Sequence, residues 1–385
     1  MGGRREAVSQ RDFKKDLLPK ARRVVVKIGS QILSSASGIE EGRIHTLAQD
    51  LAHLHDQGKE VVVVSSGAVA AGMTRLGQKE RPKTIPQKQA LAAVGQIKLM
   101  ALYEKSFSGF NKRVAQILLT HEDLSNRRRY LNAKHTLQTL FDASIIPIVN
   151  ENDTVAVEEM KFGDNDQLSS LVATLMEADL LLMLSDVEGV YDRDPRLFPD
   201  AVLIPLILDV KQYKTMVGGA TRGLYGTGGM ASKMEAAEKA AAAGIPTVIA
   251  SGIATATIPK VFDAAIEIGT WILPEGNRLA TRKHWIAYNL KPAGEIVVDP
   301  GAYEALVKKG RSLLPSGLKE VRGNFGVGEC VRCLDPEGKE FARGLVNYSA
   351  QELERIKGLR TDGIEKVLGY KAYDEIIHRN DLVLL

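Results

Sequence analysis

From residue 22 to about residue 274, apolar residues occur in short uninterrupted runs that are separated by segments with helical spacing. The runs lie near residues 24–28, 60–65, 114–119, 145–149, 180–184 and 247–250. A helix is predicted over about residues 40–57, because Ile44, Leu47, Leu51 and Leu54 fall on one face. Strands that are apolar on both sides and alternate with helices predict an α/β domain with a mostly parallel central sheet sandwiched by helices. Functional side chains are then expected at the carboxyl ends of the strands.

The pattern changes between about residues 274 and 292, which form a polar connector. Short segments punctuated by glycine follow, and strands are predicted near residues 294–299, 312–315, 326–333 and 341–348. Closely spaced short strands favour a small β-rich domain. We therefore predict a flexible leader over residues 1–21, an α/β domain over residues 22–284 and a β-rich domain over residues 285–385.

The charge of this 385-residue chain is concentrated at its beginning. The net charge is +4, but residues 1–23 carry +5, residues 24–292 are neutral and residues 293–385 carry −1. Neither predicted domain is therefore basic enough to favour nucleic-acid binding. No apolar run is long enough to span a membrane and the N-terminus lacks the apolar core of a signal peptide, so we expect a cytoplasmic protein. The two cysteines, Cys330 and Cys333, are expected to be free thiols on opposite faces of a strand.

The segment with the clearest chemistry is a glycine-rich turn, residues 223–229, that leads into a predicted helix carrying Lys233. Glycines expose backbone N–H groups, and a helix N-terminus attracts anions, so this segment suits a phosphate group. The spacing is not that of the Walker A motif. The alternative is a flexible surface loop before an alanine-rich helix.

Two predicted strands end in residues that suit a ligand cleft. Lys27 lies at the end of the first strand beside Gly29, and Ser66 follows the strand near residues 60–65. The structural alternatives are a lysine that reaches solvent and a serine that caps a helix. We expect Lys27 and Lys233 to be exposed and to contribute little to stability.

The densest polar cluster follows the strand near residues 145–149. It comprises Asn150-Glu-Asn-Asp153 and, shortly after, Asp164-Asn165-Asp166. A capping box that starts at Asp164 is the structural alternative. Because grouped carboxylates repel one another without a cation, a binding role for a metal, an ammonium group or nearby lysines is favoured. Ser185 and Asp186 end a further strand and are placed to contact a nucleotide.

In their order along the chain, these motifs resemble the amino acid kinase family. The likeness runs from Val24 nearly to the C-terminus and is carried by Val-Val-Lys27-Ile-Gly, Ser66-Gly-Ala, Ile-Val-Asn150-Glu-Asn-Asp153, Phe-Gly-Asp164-Asn165-Asp166 and Gly-Thr227-Gly-Gly-Met-Ala-Ser-Lys233. Residues 293–348 resemble a PUA domain. Ser30-Gln31 and Ser185 differ from the threonines often seen at those places, and the leader has no counterpart.

The resemblance is closest to those members that transfer the γ-phosphoryl group of ATP, with Mg²⁺, to the γ-carboxylate of L-glutamate in the first step of proline synthesis. It implies catalytic roles for Lys27, Lys233 and Asp166, the last of which would orient both lysines. It implies that glutamate is held by Ser66, Asn150, Asp153, Asp164 and Asn165. It implies that the nucleotide is held by Lys27, Ser185, Asp186, Thr227, Gly228, Gly229, Met230, Ala231, Ser232 and Lys233.

The same resemblance implies that L-proline is a feedback inhibitor and that the protein is a homo-oligomer. Two alternatives stay open. One is another kinase of the same family, and the paired polar motifs around Asn150 and Asn165 speak against it. The other is an RNA-binding protein that uses the PUA-like domain, and the charge of −1 over residues 293–385 speaks against that.

Overall fold

The computed structural model of the chain describes residues 9–35, 38–156, 164–210, 213, 229–274 and 292–385. It divides into two compact units, one of residues 1–125 and 132–275 and the other of residues 126–131 and 276–385. The predicted domain boundary near residue 285 lies outside the described residues and stays a prediction.

The first unit is built from ten strands and ten helices within the described residues. The strands are β1 (Arg23–Ile28), β2 (Ser34–Ser35), β3 (Gly38–Ile39), β4 (Glu60–Ser65), β5 (Arg113–Leu119), β6 (Ile145–Glu151), β7 (Leu180–Ser185), β8 (Leu206–Ile207), β9 (Thr247–Ser251) and β10 (Thr270–Ile272). The helices are α1 (Gln10–Leu17), α2 (Ser30–Leu33), α3 (Glu41–Asp56), α4 (Ala68–Arg75), α5 (Ile85–Ser108), α6 (His121–Ser125), α7 (Arg127–Asp142), α8 (Asp164–Leu175), α9 (Gly229–Ala242) and α10 (Thr257–Val261).

Eight of these strands form one sheet in the order β5-β6-β4-β1-β7-β9-β10-β8. The six strands from β5 to β9 in this order run parallel, and only the β9–β10 pair is antiparallel. Continuous runs of valine and leucine make β1, β4 and β7 almost wholly buried. The strand pairing confirms the prediction of a mostly parallel sheet. Continuous apolar runs predict such a sheet because only strands that are covered on both faces keep these runs out of water.

Helix α3 shows how the helices cover this sheet. It spans Glu41–Asp56, within a residue of the prediction at each end. Its residues Ile44, Leu51 and Leu54 are at most 2% exposed. The apolar stripe read from the sequence is therefore the face that packs into the core.

Helix α1 contradicts the predicted flexible leader over the part of it that the structure describes. The amide of Gln10 donates to the carbonyl oxygens of Pro205 and Gly269, at 2.6 and 2.9 Å. The ammonium of Lys14 is fully buried and donates to the carbonyl oxygen of Ile266 at 2.6 Å. Leu18 belongs to the main apolar core. The helix is anchored by polar contacts with distant segments, which periodicity in the sequence does not reveal.

The second unit contains a five-stranded sheet in the order β12-β11-β13-β14-β15. Its elements are β11 (Gly294–Val298), α11 (Pro300–Lys309), β12 (Leu318–Gly323), β13 (Cys330–Leu334), β14 (Glu340–Leu345), α12 (Ala350–Ile356), α13 (Ile364–Leu368) and β15 (Leu382–Leu384). The predicted small β-rich domain is confirmed, with one correction. The strand expected near residues 312–315 is absent from the described structure: Leu313 forms an isolated bridge to Ile377, and Pro315 begins a 3₁₀ turn.

Both cysteines lie on β13 and are free, as predicted, and the structure shows that both are buried. Cys333 belongs to the core of this unit and Cys330 to a separate small apolar cluster, consistent with opposite faces of the strand. Burial raises the pKa of both thiols, which makes them poor nucleophiles. Among the described helices of the whole chain, none is both long and apolar enough to cross a membrane.

Candidate active site

A large cleft of about 880 Å³ lies at the carboxyl ends of the central parallel strands. Lys27 reaches it from β1, Ser66 from the end of β4, Asn150 from β6 and Ser185 from β7. Adjacent parallel strands deliver their carboxyl ends to one edge of a sheet, so residues far apart in the sequence meet there. The predicted site residues of these four strands are therefore brought together.

Two lysines share one carboxylate at the centre of the cleft. Lys27 Nζ lies 2.6 Å from Asp166 Oδ1, and Lys233 Nζ lies 3.5 Å from Asp166 Oδ2. Asp166 is in the first turn of α8, and Lys233 in the first turns of α9, where its ammonium also donates to the carbonyl oxygen of Gly229 at 3.1 Å. The arrangement predicted for Asp166, between the two lysines, is present in the structure.

This triad is buried, which corrects the expectation that the lysines are exposed. Lys27 is 5% exposed, Lys233 8% and Asp166 3%. Burial lowers the pKa of Lys27 most, and the nearby Lys233 lowers it further, whereas the charge of Asp166 raises it. Two ammonium groups beside one carboxylate leave a net charge of +1 in a poorly solvated place. Such a site attracts anions strongly.

A chain of hydrogen bonds joins the uncharged polar residues beside this triad. Asn165 Nδ2 donates to Ser66 Oγ at 2.8 Å and to Asn150 Oδ1 at 3.0 Å. Asn150 Nδ2 in turn donates to Gln96 Oε1 of α5 at 2.8 Å. Asn165 precedes Asp166, so this chain lies directly beside the two lysines. The predicted substrate residues Ser66, Asn150 and Asn165 form one connected group.

Asp153 lines the same cleft and is half-buried. Its pKa is raised to about 6, mainly because burial disfavours the charged carboxylate. At neutral pH the group is nevertheless ionised, and within the part of the chain that the structure describes no opposite charge contributes to its pKa. A bound ammonium group would supply that charge. The side chain of Asp164, the other acidic residue predicted here, lies outside the described structure.

We expect substrate affinity to fall as the pH drops from 7 to 5, if Asp153 binds an ammonium group. The carboxylate of the free protein gains a proton near pH 6, and its attraction for the ammonium is lost below that value. The measurement is the KM of the amino-acid substrate at fixed ionic strength across this range. The Asp153→Asn variant is the control and should show a raised KM without this dependence. An identical pH profile in both proteins would contradict the role of Asp153.

The opposite side of the cleft contains the residues predicted for the nucleotide. Ser185 is buried and its hydroxyl donates to Asp186 Oδ1 at 3.1 Å, while Asp186 is exposed. The first turn of α9 consists of Gly229, Met230, Ala231 and Ser232. Of these residues, Gly229 and Met230 line the cleft. The backbone N–H groups at the N-terminus of a helix suit a phosphate. Thr227 and Gly228, with the rest of the glycine-rich turn, lie outside the described residues.

Sequence reasoning missed several residues around this cleft. Arg81, Lys88 and Tyr213 line it. Tyr103, fully buried on α5, hydrogen-bonds to Ser65 with 2.8 Å between the oxygens, and Gln96 contacts Asn150. Tyr103 and Gln96 lie in the interior of a long helical pattern, where nothing in the sequence distinguishes them from ordinary packing residues. Lys88 lies in the first turn of α5, after the N-cap residue Thr84, and nothing in the sequence except its charge marks it as a site residue.

Comparison with models of known protein families agrees with this division into an α/β unit and a β-rich unit. The model of the amino acid kinase family matches residues 22–251, and the model of the PUA domain matches residues 294–368. The chain therefore belongs to the amino acid kinase family, whose members are phosphotransferases, and carries a C-terminal PUA domain.

Proteins that match nearly the whole chain give a more specific indication than the family models do. The glutamate 5-kinase of Geobacter sp. (strain M21) is 52% identical over 374 residues, covering 97% of this chain and 100% of the relative. The glutamate 5-kinase of Meiothermus ruber is 53% identical, covering 94% of this chain and 96% of the relative. Among solved structures, UMP kinase from Bacillus anthracis is 17% identical with a TM-score of 0.48, covering 66% of this chain and 97% of that one. This last likeness is too distant to bear on the substrate.

Proposed function

We propose that this protein transfers the γ-phosphoryl group of ATP to the γ-carboxylate of L-glutamate, forming L-glutamyl 5-phosphate in the first step of proline biosynthesis. The observation that carries the proposal is the buried Lys27–Asp166–Lys233 triad beside the polar group of Ser66, Asn150 and Asn165. The chain is 52% and 53% identical to two glutamate 5-kinases over nearly its whole length, which favours L-glutamate over the substrates of other kinases in the family.

The chemistry needs charge neutralisation more than proton transfer. The γ-carboxylate is ionised at neutral pH, so its oxygen can attack the γ-phosphorus without a general base. The new oxygen–phosphorus bond forms as the bond to the bridging oxygen of ADP breaks. The barrier lies in bringing an anion up to a polyanion, and Lys27 and Lys233 offset that repulsion. Asp166 would hold both ammonium groups in place during the transfer.

The binding roles follow from charge and position. Asp153 would pair with the α-ammonium of glutamate, with Ser66, Asn150, Asn165 and Asp164 completing its site. Ser185, Asp186 and residues 227–232 would hold the nucleotide. Among the described residues no group of three or more His, Cys, Asp and Glu could hold a metal ion. Mg²⁺ would enter with ATP, bound chiefly by phosphate oxygens as is usual for this ion.

The test is ADP release with a panel of acceptors at saturating ATP and Mg²⁺. L-Glutamate should stimulate ATP cleavage, because it offers both a γ-carboxylate and a free ammonium for Asp153. L-Aspartate, N-acetylglutamate and UMP should not. Strong turnover with N-acetylglutamate, which has no ammonium group, would refute the assignment.

We also propose that L-proline inhibits this enzyme and that the protein is a homo-oligomer. Proline shares the α-carboxylate and the ammonium of glutamate, so it can compete for Asp153 and its neighbours. Inhibition should be relieved by raising glutamate and weakened in the Asp153→Asn variant. Initial rates over a matrix of proline and glutamate concentrations measure this, and rates unchanged by a large excess of proline would rule it out. Light scattering would establish the oligomeric state.

A further inference from the structure

The short segment that follows β7, residues 186–190, borders the cleft directly after Ser185. We call this segment the β7 loop. Its residues that line the cleft are Asp186, Val187, Gly189 and Val190. Within the described part of the chain, residues 186–189 form no backbone–backbone hydrogen bond. The loop is therefore attached at its two ends, by β7 before it and by the contacts of Val190 after it.

The hydroxyl of Thr270 ties the second of these ends to the central sheet. Thr270 is fully buried and is the first residue of β10. Its hydroxyl accepts from the backbone N–H of Val190 at 2.7 Å and donates to the carbonyl oxygen of Ile204 at 2.6 Å. The carbonyl oxygen of Val190, at 3.4 Å, is the longer alternative acceptor. Among the described residues, no other group accepts from the N–H of Val190.

Water replaces this hydroxyl only if the loop moves. Val190 is 3% exposed, so its N–H is out of reach of solvent where it stands. A buried N–H without an acceptor costs on the order of 1–3 kcal/mol. Without the Thr270 hydroxyl, the loop would regain a partner for this N–H by shifting outward from β10.

The β7 loop also passes Thr270 at very short range. A Cβ at Gly189 would lie 2.6 Å from Thr270 Oγ1 and 3.0 Å from the backbone nitrogen of Thr270. Only glycine permits this approach, because any side chain would press the loop away from β10. Hydrogen bonding and close packing at one residue, Thr270, thus set the position of the loop.

We propose that Thr270 is a positioning residue for the nucleotide, an inference that rests on the proposed function in assigning this side of the cleft to ATP. Thr270 lies behind the β7 loop and acts through it. The loop continues directly from Ser185 and contains Asp186, so a shift of the loop displaces the nucleotide side of the cleft. The hydrogen bonds that join the amino-acid side, at Ser66, Asn150 and Asn165, include none of these groups.

The test compares Thr270→Val, which removes the hydroxyl from a side chain of nearly the same shape, with Thr270→Ser, which keeps it. Titration calorimetry measures the Kd of MgAMP-PNP, a nonhydrolysable ATP analogue, and ADP release measures the KM of MgATP and of L-glutamate. Thr270→Val should raise the Kd and the KM for MgATP roughly 10- to 100-fold, the scale of one unsatisfied buried N–H, and leave the KM for glutamate unchanged. Thr270→Ser should stay within about threefold of wild type, since the hydroxyl is retained.

Thr247 provides a matched control. It is also fully buried, lies on the neighbouring strand β9 and pairs with Ile272 of β10. Its hydroxyl, however, has no hydrogen-bond partner among the described residues. Thr247→Val should therefore leave the Kd and both KM values unchanged. Equal effects of the two valine variants would show that any hydroxyl lost from this sheet has the same result, and would overturn the proposal.

Gly189→Ala tests the same contact without changing Thr270, and it decides the matter if Thr270→Val does not fold. The added methyl group should press the loop outward and raise the KM for MgATP without raising that for glutamate. Equal losses for the two substrates would show a merely structural role and overturn the proposal, as would equal losses in the Val and Ser variants. A wild-type protein that binds MgAMP-PNP but does not phosphorylate glutamate would refute the proposed function, while the Kd values would still test this inference.

Discussion

Asp166→Asn is expected to lower the turnover of glutamate by on the order of 10²–10⁴-fold, the scale on which preorganised charges act in active sites. The carboxylate of Asp166 lies 2.6 Å from the ammonium of Lys27 and 3.5 Å from that of Lys233. The neutral amide cannot hold two mutually repelling cations in place. We expect both lysines to move, so that neither reaches the transferring phosphoryl group correctly.

The same substitution should reduce the free energy of unfolding by about 3–5 kcal/mol, because it leaves buried charge without its partner. Asp56→Asn is a matched control: it also removes a carboxylate paired with a lysine, Lys112, but Asp56 has 63% of its side chain exposed. Denaturant unfolding and steady-state kinetics on both variants provide the comparison. Normal turnover in a folded Asp166→Asn protein would show that this carboxylate does not organise the site.

Lys27→Met and Lys233→Met are each expected to lower turnover by on the order of 10²–10⁴-fold, since each removes one cation from the path of the phosphoryl group. Their effect on stability should be small, although both lysines are buried. Each variant leaves one ammonium paired with Asp166, so the triad changes from a net charge of +1 to neutral. The repulsion between the two ammonium groups, which contributes to the lowered pKa of Lys27, is also removed.

Lys239→Met is the control for this pair of variants, because Lys239 lies on the same helix as Lys233 and is exposed. It should keep wild-type turnover and stability. Thermal melting and kcat are measured for all three proteins. A variant of Lys27 or Lys233 that unfolds at much lower temperature would show that the lysine supports the fold, and one with near-normal kcat would show that it takes no part in the reaction.

The central sheet could be predicted from the sequence because its signal is local. Runs such as Val61–Val64 and Leu180–Leu184 are apolar on both faces, and only a covered strand accommodates them. The positions of Lys27, Ser66, Asn150 and Ser185 at strand ends followed from the same runs. Their convergence could be expected as well, because parallel strands share one carboxyl edge.

The short strands β8 and β10 were not predicted. Each has only two or three residues, which is too few for a periodic pattern. In the structure they pair with each other, and β10 also pairs with β9, so tertiary contacts create these strands. The strand expected near residues 312–315 is reduced to a single bridge between Leu313 and Ile377, and Pro315, which has no backbone N–H to donate, begins a 3₁₀ turn.

By itself, the sequence determined the parallel strands of the sheet, the helices that cover it, the β-rich domain and the residue types suited to phosphate and carboxylate, because periodicity, glycine and charge act over a few neighbouring residues. Only the tertiary structure decided which groups are buried and which way they face. Lys14 bonds to a carbonyl group 252 residues away, and Asp166 meets lysines from two distant elements. The close approach of α4 and α5 at Gly95 is likewise a contact between two separate elements. Burial and hydrogen-bond direction depend on partners that the chain brings together only when it folds, so no local pattern encodes them.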